Sequence, residues 1–311
     1  MVFVLTLTII VFLMALGLTS SSALDLVNDY GNSFWLLLTF SMQLSILMVT
    51  GFVVADSKPV KSGLIWLLSI PKTAKGTMVL FCVVVGIVSW FHWGIGSMVG
   101  MIMGRELAVR KRGLGIHYPF ICATSYGVVN IMCNGPSQSA PLLIATPGHF
   151  MEKTIGLVPL TTTALSPFLL TLMLVFFVTV PIVVILVMPS KERAVEIDDD
   201  RYNEFTATLP KDPEKKAMRH AERWDRSWVL QSTLGGVMFV WVCYTIGNKG
   251  LGRLDMNSLN FFFLTLSMIL HRTPHAFMES VKRAVSVAYG IMIQFPMYAG
   301  IFGMINPCLS G

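Results

Sequence analysis

Long apolar runs recur from one end of the chain to the other, and short polar segments separate them. The runs cover residues 1–18, 34–55, 77–104, 118–146, 157–188, 228–246, 259–270 and 284–305. A run of about 20 apolar residues can cross the hydrocarbon core as a helix, whereas a membrane β-barrel shows short alternating segments. The pattern therefore predicts an all-α polytopic membrane protein.

Composition and charge support the same class. The chain is 54% hydrophobic and only 13% charged, whereas soluble domains carry about 25% charged residues. Its net charge of +6 comes from basic residues in the short segments between apolar runs, where such residues determine membrane topology. We therefore expect the lipid bilayer as a partner, and no nucleic acid.

The run over residues 77–104 is interrupted in its middle by the sequence W-F-H-W-G-I-G (90–96). The interruption leaves two apolar halves of roughly 11–14 residues, and a helix needs about 20 to cross a bilayer. Two alternatives follow. The segment is either one long broken crossing or a re-entrant hairpin that returns to the side where it started.

The distribution of lysine and arginine distinguishes these alternatives. If residue 1 starts in the cytoplasm and 77–104 is a hairpin, 20 of the 23 Lys and Arg residues lie in cytoplasmic segments. Those segments are 56–75, 105–117, 189–227 and 271–283, and Lys153, Lys249 and Arg253 remain outside. A single crossing would move the later basic segments to the other side, so the positive-inside rule favours the hairpin.

A second interruption, C-N-G-P-S-Q-S (133–139), lies within the run 118–146. Pro136 lacks a backbone N–H and clashes with the preceding turn, so one continuous helix is disfavoured. We interpret the run as a broken helix in which Ser137 or Ser139 is the N-cap of the second half. Secondary transporters bind ions and anionic substrates at such breaks. The alternative is an ordinary surface loop between two separate helices.

The hairpin tip carries candidate chemistry as well. His92 is an ionisable residue inside an apolar run, which makes a role in proton or ion coupling a hypothesis; a hydrogen-bonded structural residue is the alternative. Gly94 and Gly96 would allow the chain to reverse. The row Gly96, Gly100 and Gly104 is typical of close helix packing.

Residues 189–227 form the one substantial polar segment, and we interpret them as a cytoplasmic linker between two membrane halves. Asp212-Pro213-Glu214 predicts the start of a helix that runs toward Trp224. The chain contains no H-E-x-x-H, G-x-S-x-G or Walker motif, and the pair His271 and His275 is a weak metal signal. We expect neither an enzyme nor a resident cofactor or metal.

Short motifs along nearly the whole chain resemble those of the AtoE-type short-chain fatty acid transporters, a family within the wider ion-transporter superfamily. They are S-F-W-L-L-L-T-F-S-M-Q (33–43), V-T-G-F-V-V-A (49–55), S-K-P-V-K (57–61), W-G-I-G-S-M-V-G (93–100), R-E-L-A (105–108), Y-P (118–119), P-L-L-I-A-T-P-G (141–148), G-L-V-P (156–159), L-P-K-D (209–212), N-S-L-N (257–260) and Q-F-P-M-Y-A-G-I (294–301).

The resemblance implies a secondary carrier for short-chain monocarboxylates such as acetoacetate and butyrate. The sequence does not reveal the coupling ion, and H⁺ and Na⁺ both stay open. It also implies an elevator-type fold of two inverted repeats, each with a re-entrant hairpin and a broken helix. Residues 1–188 would be the first repeat, 189–227 the linker and 228–311 an incomplete second repeat. The expected substrate-binding residues are Trp93, Gly94, Gly96, Asn134, Gly135, Ser137, Ser139 and Thr146, with Ile131 and Met132 beside the alkyl tail.

The chain departs from the family in two respects. A glycine-rich G-G-G-F-S-G-S stretch of the family is replaced by C-N-G-P-S-Q-S at 133–139. Family members also extend beyond both ends of this chain, so it is expected to be truncated. A non-transporting carrier fragment or an accessory membrane subunit is therefore the alternative function. In either case we expect a multi-pass protein of the bacterial cell (inner) membrane. The sequence does not determine the oligomeric state, and a homo-oligomer is one alternative.

Overall fold

The computed structural model describes residues 1–207, 220–250 and 255–306, and the regular elements in these ranges are helices. Short 3₁₀ turns lie at Leu160–Thr162 and Lys191–Arg193. The α-helices are α1 (Val2–Leu18), α2 (Ala23–Ser33), α3 (Leu38–Asp56), α4 (Lys58–Ser69), α5 (Ala74–Phe91), α6 (Trp93–Arg110), α7 (Tyr118–Met132), α8 (Ser139–Ile144), α9 (Glu152–Ile155), α10 (Pro167–Val187), α11 (Asp199–Ala207), α12 (His220–Asp225), α13 (Trp228–Lys249), α14 (Met256–His271) and α15 (Pro274–Ile305).

Five of these helices are long and apolar enough to cross a membrane. They are α3, α5, α10, residues Trp228–Asn248 of α13 and residues Ala288–Ile305 of α15. Two further apolar helices, α1 and α14, are slightly shorter. The all-α polytopic membrane class is therefore confirmed.

Helices α5 and α6 form an antiparallel hairpin, with His92 as the single residue between them. Gly96, Gly100 and Gly104 of α6 lie successively closer to the start of α5, facing Ser89, Val85 and Phe81. Gly100 and Gly104 also face Ser125 and Ile121 of α7. The glycine row is therefore a packing seam, in which a methyl group on Gly96 or Gly100 would overlap the Ser89 or Ser125 hydroxyl, whereas one on Gly104 would make only ordinary contacts.

Each arm of this hairpin is 18 residues long, longer than the halves expected from the apolar run. The difference in α6 arises because the helix continues through charged residues, Arg105, Glu106 and Arg110. Its apolar part, 93–104, covers about 12 residues or 18 Å at 1.5 Å per residue. That is shorter than the roughly 30 Å of a hydrocarbon core, whereas α5, the other arm, is long and apolar enough to cross a membrane. Because the two arms differ in this way, the re-entrant interpretation stays a prediction.

Helix α3 lies at the centre of the packing, against α6, α14 and α15. The main cluster of buried side chains draws on residues from Phe40 to Phe263. A smaller cluster, Val4, Leu26, Ile301 and Met304, joins α1 and α2 to the end of α15. Residues on both sides of the 189–227 segment therefore share one core, and the division into two repeats stays a prediction.

Two helices lie where the sequence analysis placed only connections. Helix α2 begins with a capping box, in which the Ser22 side chain accepts from the Asp25 N–H and Asp25 accepts from the Ser22 N–H. Helix α4 begins with Pro59 near its N-terminus, a position that tolerates the missing N–H. Both helices have an apolar side that packs on the bundle, with Leu26 of α2 and Leu64 and Leu68 of α4 buried.

A buried carboxylate joins two of the predicted cytoplasmic segments. Asp56 Oδ1 lies 2.6 Å from Lys61 Nζ, and Asp56 Oδ2 lies 2.6 Å from an Arg283 guanidinium nitrogen. Ser280 Oγ also donates to Asp56 Oδ2, at 2.7 Å. The 56–75 and 271–283 segments therefore meet at the same end of the bundle.

The other two basic segments join the same end. Lys111 Nζ donates to the Pro71 carbonyl at 2.7 Å, which links 105–117 to 56–75. The N–H groups of Gly113 and Gly115 donate to the Glu196 carboxylate, at 2.9 and 2.6 Å. The grouping of these segments at one end, called here the basic end, is confirmed for the described residues; its orientation toward the cytoplasm stays a prediction.

Part of the polar segment 189–227 is thus docked onto the α6–α7 connection. Arg112 forms an ion pair with Asp199 at 2.5 Å, and this pair raises the pKa of the Arg112 guanidinium. The predicted helix start at Asp212-Pro213-Glu214 lies outside the described residues, as do Arg253 and the L-P-K-D motif. Trp224 lies in α12.

Candidate functional site

The hairpin tip and the break after α7 are in direct contact. The Trp93 backbone N–H donates to Ser137 Oγ at 3.2 Å, and Ser137 is 1% exposed. A methyl group on Gly135 would overlap the Trp90 carbonyl oxygen and lie 2.8 Å from its carbon. The two interruptions in the apolar pattern therefore meet in space, although more than forty positions separate them in sequence.

Local hydrogen bonds shape the break itself. Asn134 Nδ2 donates to the Ile131 carbonyl and Gln138 Nε2 donates to Asn134 Oδ1, both at 3.0 Å. The Gln138 N–H donates to the Gly135 carbonyl, also at 3.0 Å. These bonds compensate for the helical bonds that end before Pro136, because backbone groups buried away from water need partners.

The predicted N-cap of the second half-helix is wrong. Helix α8 has Gln138 at its N-cap position, and no side chain caps it. Ser137 Oγ instead accepts from Trp93 on the other element, and Ser139 is the first residue inside the helix. The serine oxygen predicted to cap α8 therefore accepts a hydrogen bond from a residue of the hairpin tip instead.

His92 caps the second arm of the hairpin. Its Nδ1 accepts from the N–H groups of Gly94 at 3.1 Å and Ile95 at 3.2 Å. Because Nδ1 accepts, the neutral ring carries its proton on Nε2. The ring is fully buried. This geometry supports the structural alternative, since protonation of Nδ1 would break both capping bonds.

The His92 ring also occupies a tight space between helices. It stands edge-on to Phe263 of α14, with ring centroids 4.3 Å apart. A methyl group on Gly51 of α3 would lie 2.8 Å from the ring, and one on Gly94 would lie 3.0 Å from it. Gly94 therefore makes room for the cap itself.

The remaining predicted site residues do not all reach the tip contact. Gly96 faces Ser89 in the packing seam, and Asn134 bonds within the break. Thr146 Oγ1 donates to the Leu142 carbonyl at 2.7 Å and accepts from the Met256 N–H at 3.0 Å. Thr146 thus ties the end of α8 to the start of α14. Trp93, Gly135 and Ser137 are the predicted residues at the direct contact.

The sequence analysis missed a polar cluster between α3 and α14. Gln43 Nε2 donates to Asn257 Oδ1 at 2.7 Å, and Asn260 Nδ2 donates to the Gln43 carbonyl at 2.8 Å. Asn260 Oδ1 is buried and has no partner among the described residues. The signal was present, because Gln43 and Asn260 lie in the motifs F-S-M-Q and N-S-L-N, yet nothing in the sequence showed that the motifs meet.

Buried hydrogen-bond donors at the tip lack an acceptor among the described residues. Ser137 Oγ accepts from Trp93, so its own O–H proton is not used in that bond. The ring N–H groups of Trp90 and Trp93 are buried and have no partner among the described residues. Within the same residues no group of three or more His, Cys, Asp or Glu side chains could hold a metal ion. The tip therefore offers uncharged donors, which suit an anionic oxygen.

Comparison with known proteins gives a consistent result. The family model described as short chain fatty acid transporter matches residues 1–311. A relative from Escherichia coli (strain K12), named "Putative short-chain fatty acid transporter", is 33% identical over 304 residues, covering 97% of this chain and 67% of its own length. A relative from Haemophilus influenzae with the same name is 32% identical over 308 residues, covering 97% of this chain and 68% of its own. No solved structure matches.

The match is continuous along the chain. It lends no support to the expected truncation, and it does not favour the alternative of a non-transporting fragment or accessory subunit. The full-length family match and the two relatives show that the chain belongs to the short-chain fatty acid transporter family.

Proposed function

We propose that this protein is a secondary carrier of short-chain monocarboxylates such as acetoacetate and butyrate, and that the carboxylate binds where the hairpin tip meets the break after α7. The hydrogen bond from Trp93 to Ser137 carries the proposal, because it joins the two interruptions at one point. The proposed setting is the bacterial inner membrane, with two inverted repeats, 1–188 and 228–311, that work as an elevator; a homo-oligomer is compatible with it.

The chemistry at the tip supports a carboxylate. A carboxylate oxygen only accepts hydrogen bonds, and it needs donors when it leaves water. The Ser137 hydroxyl and the Trp93 indole are donors on residues already in contact. Ile131 beside the break is exposed and offers apolar surface for a short alkyl tail, whereas Met132 is fully buried.

Removal of either donor is expected to weaken substrate binding. A hydrogen bond to a charged group contributes about 1.5–3 kcal/mol, which corresponds to roughly 10- to 100-fold in affinity. We expect Ser137→Ala and Trp93→Phe each to raise the KM for labelled butyrate within that range in proteoliposome uptake. Trp93→Phe keeps an aromatic ring but removes part of the indole as well as its N–H, so its effect is compared with that of Ser137→Ala, which removes a hydroxyl alone.

Ser45→Ala is the matched control, because Ser45 is equally buried and its hydroxyl donates only within α3, to the Ser41 carbonyl. Its KM should equal that of the unchanged protein. Unaltered KM values in both Ser137→Ala and Trp93→Phe, with all proteins folded, would remove the tip as the carboxylate site.

The coupling ion of the proposed carrier is H⁺ or Na⁺, and the role of His92 in it can be tested directly. Asparagine can accept hydrogen bonds from backbone N–H groups as an N-cap, but unlike histidine it has no titratable side chain. Butyrate uptake is measured once with an imposed pH gradient and once with an imposed Na⁺ gradient. We expect His92→Asn to respond to the pH gradient as the unchanged protein does. Loss of the pH response alone, with uptake and folding intact, would instead assign the coupling proton to His92.

A further inference from the structure

A cavity at the basic end lies far from the substrate site in the fold. It has a volume of about 450 Å³ and is lined by residues of α4 and of the end of α6. Ile65, Trp66 and Leu68 form its apolar wall, Ser62 and Ser69 lie beside them, and Arg110 and Lys111 close the opposite side. Pockets that hold organic ligands have volumes of about 300–1,000 Å³.

Helix α4 has an exposed apolar side next to this cavity. Its buried residues, Leu64 and Leu68, face the bundle, whereas Trp66 is 64% exposed and Ile70 is exposed one turn later. Tryptophan is enriched at the boundary between hydrocarbon and headgroups. A short amphipathic helix at the basic end is therefore placed where lipid headgroups lie.

The charges in the cavity select for an anion. Lys111 Nζ donates to the Pro71 carbonyl, a neutral acceptor, and Arg110 shares its charge with Glu106 at 2.7 Å. Among the residues that the structure describes, no acidic side chain lines the cavity, so Lys111 gives the lining a net positive charge. Basic residues at the cytoplasmic surface attract anionic phospholipids.

We propose that this cavity is a binding site for an anionic phospholipid, with the headgroup at Arg110 and Lys111 and the acyl chains along Trp66. A short-chain acid would leave most of a 450 Å³ space unfilled, and it has too little apolar surface to cover Ile65 and Trp66. A phospholipid supplies both the charge and the apolar length. The site is independent of the substrate site proposed at the hairpin tip.

Native mass spectrometry of the full chain, purified in detergent and mixed with phosphatidylglycerol or phosphatidylcholine, tests this site. We expect the unchanged protein to retain phosphatidylglycerol and not phosphatidylcholine. The double variant Arg110→Gln/Lys111→Gln should retain phosphatidylglycerol at least tenfold more weakly. The control Lys58→Gln/Lys282→Gln removes two exposed cations from the same end and should bind as the unchanged protein does.

A second measurement does not depend on the charge variants. Brominated phosphatidylglycerol should quench the tryptophan fluorescence of the unchanged protein more strongly than that of Trp66→Phe, which lacks the residue beside the acyl chains. Equal loss of binding in both double variants, equal retention of the two lipids, equal quenching with and without Trp66, or displacement of phosphatidylglycerol by butyrate would each overturn the proposal.

Discussion

Replacement of Gly135 with alanine is expected to abolish uptake and to lower the yield of folded protein. The added methyl would overlap the Trp90 carbonyl oxygen, and a backbone oxygen at a hairpin tip cannot rotate away as a flexible side chain can. Overpacking typically costs about 1–3 kcal/mol and occasionally more, and we expect the upper part of this range. The measurements are thermal unfolding in detergent by size-exclusion chromatography and butyrate uptake in proteoliposomes.

Gly127→Ala is the matched control for this substitution. Gly127 lies in the interior of α7, the helix that precedes the break, and a methyl group there would meet no atom within 4 Å. Alanine is also favoured over glycine inside a helix. We expect unchanged or slightly higher stability and unchanged uptake. If Gly135→Ala unfolded at the same temperature as Gly127→Ala and transported equally well, the close approach of break and tip would be contradicted.

Asp56→Asn is expected to cause the second large effect, a loss of stability. The Asp56 side chain is only 5% exposed and accepts from Lys61, Ser280 and Arg283. Removal of its charge breaks hydrogen bonds to charged groups, which contribute about 1.5–3 kcal/mol. Lys61 and Arg283 are 40% and 56% exposed, so water screens their charges. We therefore expect the loss in the free energy of unfolding to lie in the lower part of that range.

The unfolding temperature of the Asp56→Asn variant should accordingly fall by several degrees, and the difference should shrink at high salt, because salt screens the two exposed cations. Glu279→Gln is the control on the same helix as Arg283, since Glu279 pairs with Lys282 at the surface. It should leave the unfolding temperature unchanged. An equal decrease in both variants would show that net charge, rather than the Asp56 cluster, stabilises this end.

Local rules predicted much of the architecture. The interruption at 90–96 located the hairpin, because aromatic and glycine residues broke the apolar run where α5 and α6 are separated. The Lys and Arg distribution grouped four segments at one end, and contacts such as Lys111 to Pro71 join them there. The glycine row Gly96, Gly100 and Gly104 was interpreted as a packing seam, and it lies against α5 and α7.

Local rules did not predict the hydrogen bonds of side chains whose partners lie far away in the sequence. Ser137 had the right type and position for an N-cap, yet it accepts from Trp93. Thr146 stays a predicted substrate residue, and the structure adds a contact that no local rule predicts, because its Oγ1 accepts from the Met256 N–H, 110 positions later. The polar contact of Gln43 with Asn260 spans 217 positions, and no periodicity records such a pair.

The sequence by itself determined the membrane class, the positions of the two interruptions and the grouping of the basic segments, because helix length, backbone breaks and charge placement depend on neighbouring residues and on the bilayer. Only the tertiary structure decided that the interruptions touch, that Gly135 lies against the Trp90 carbonyl, and that His92 caps α6 beneath Phe263. These outcomes depend on which helix faces pack together, and packing unites residues that are far apart in the chain.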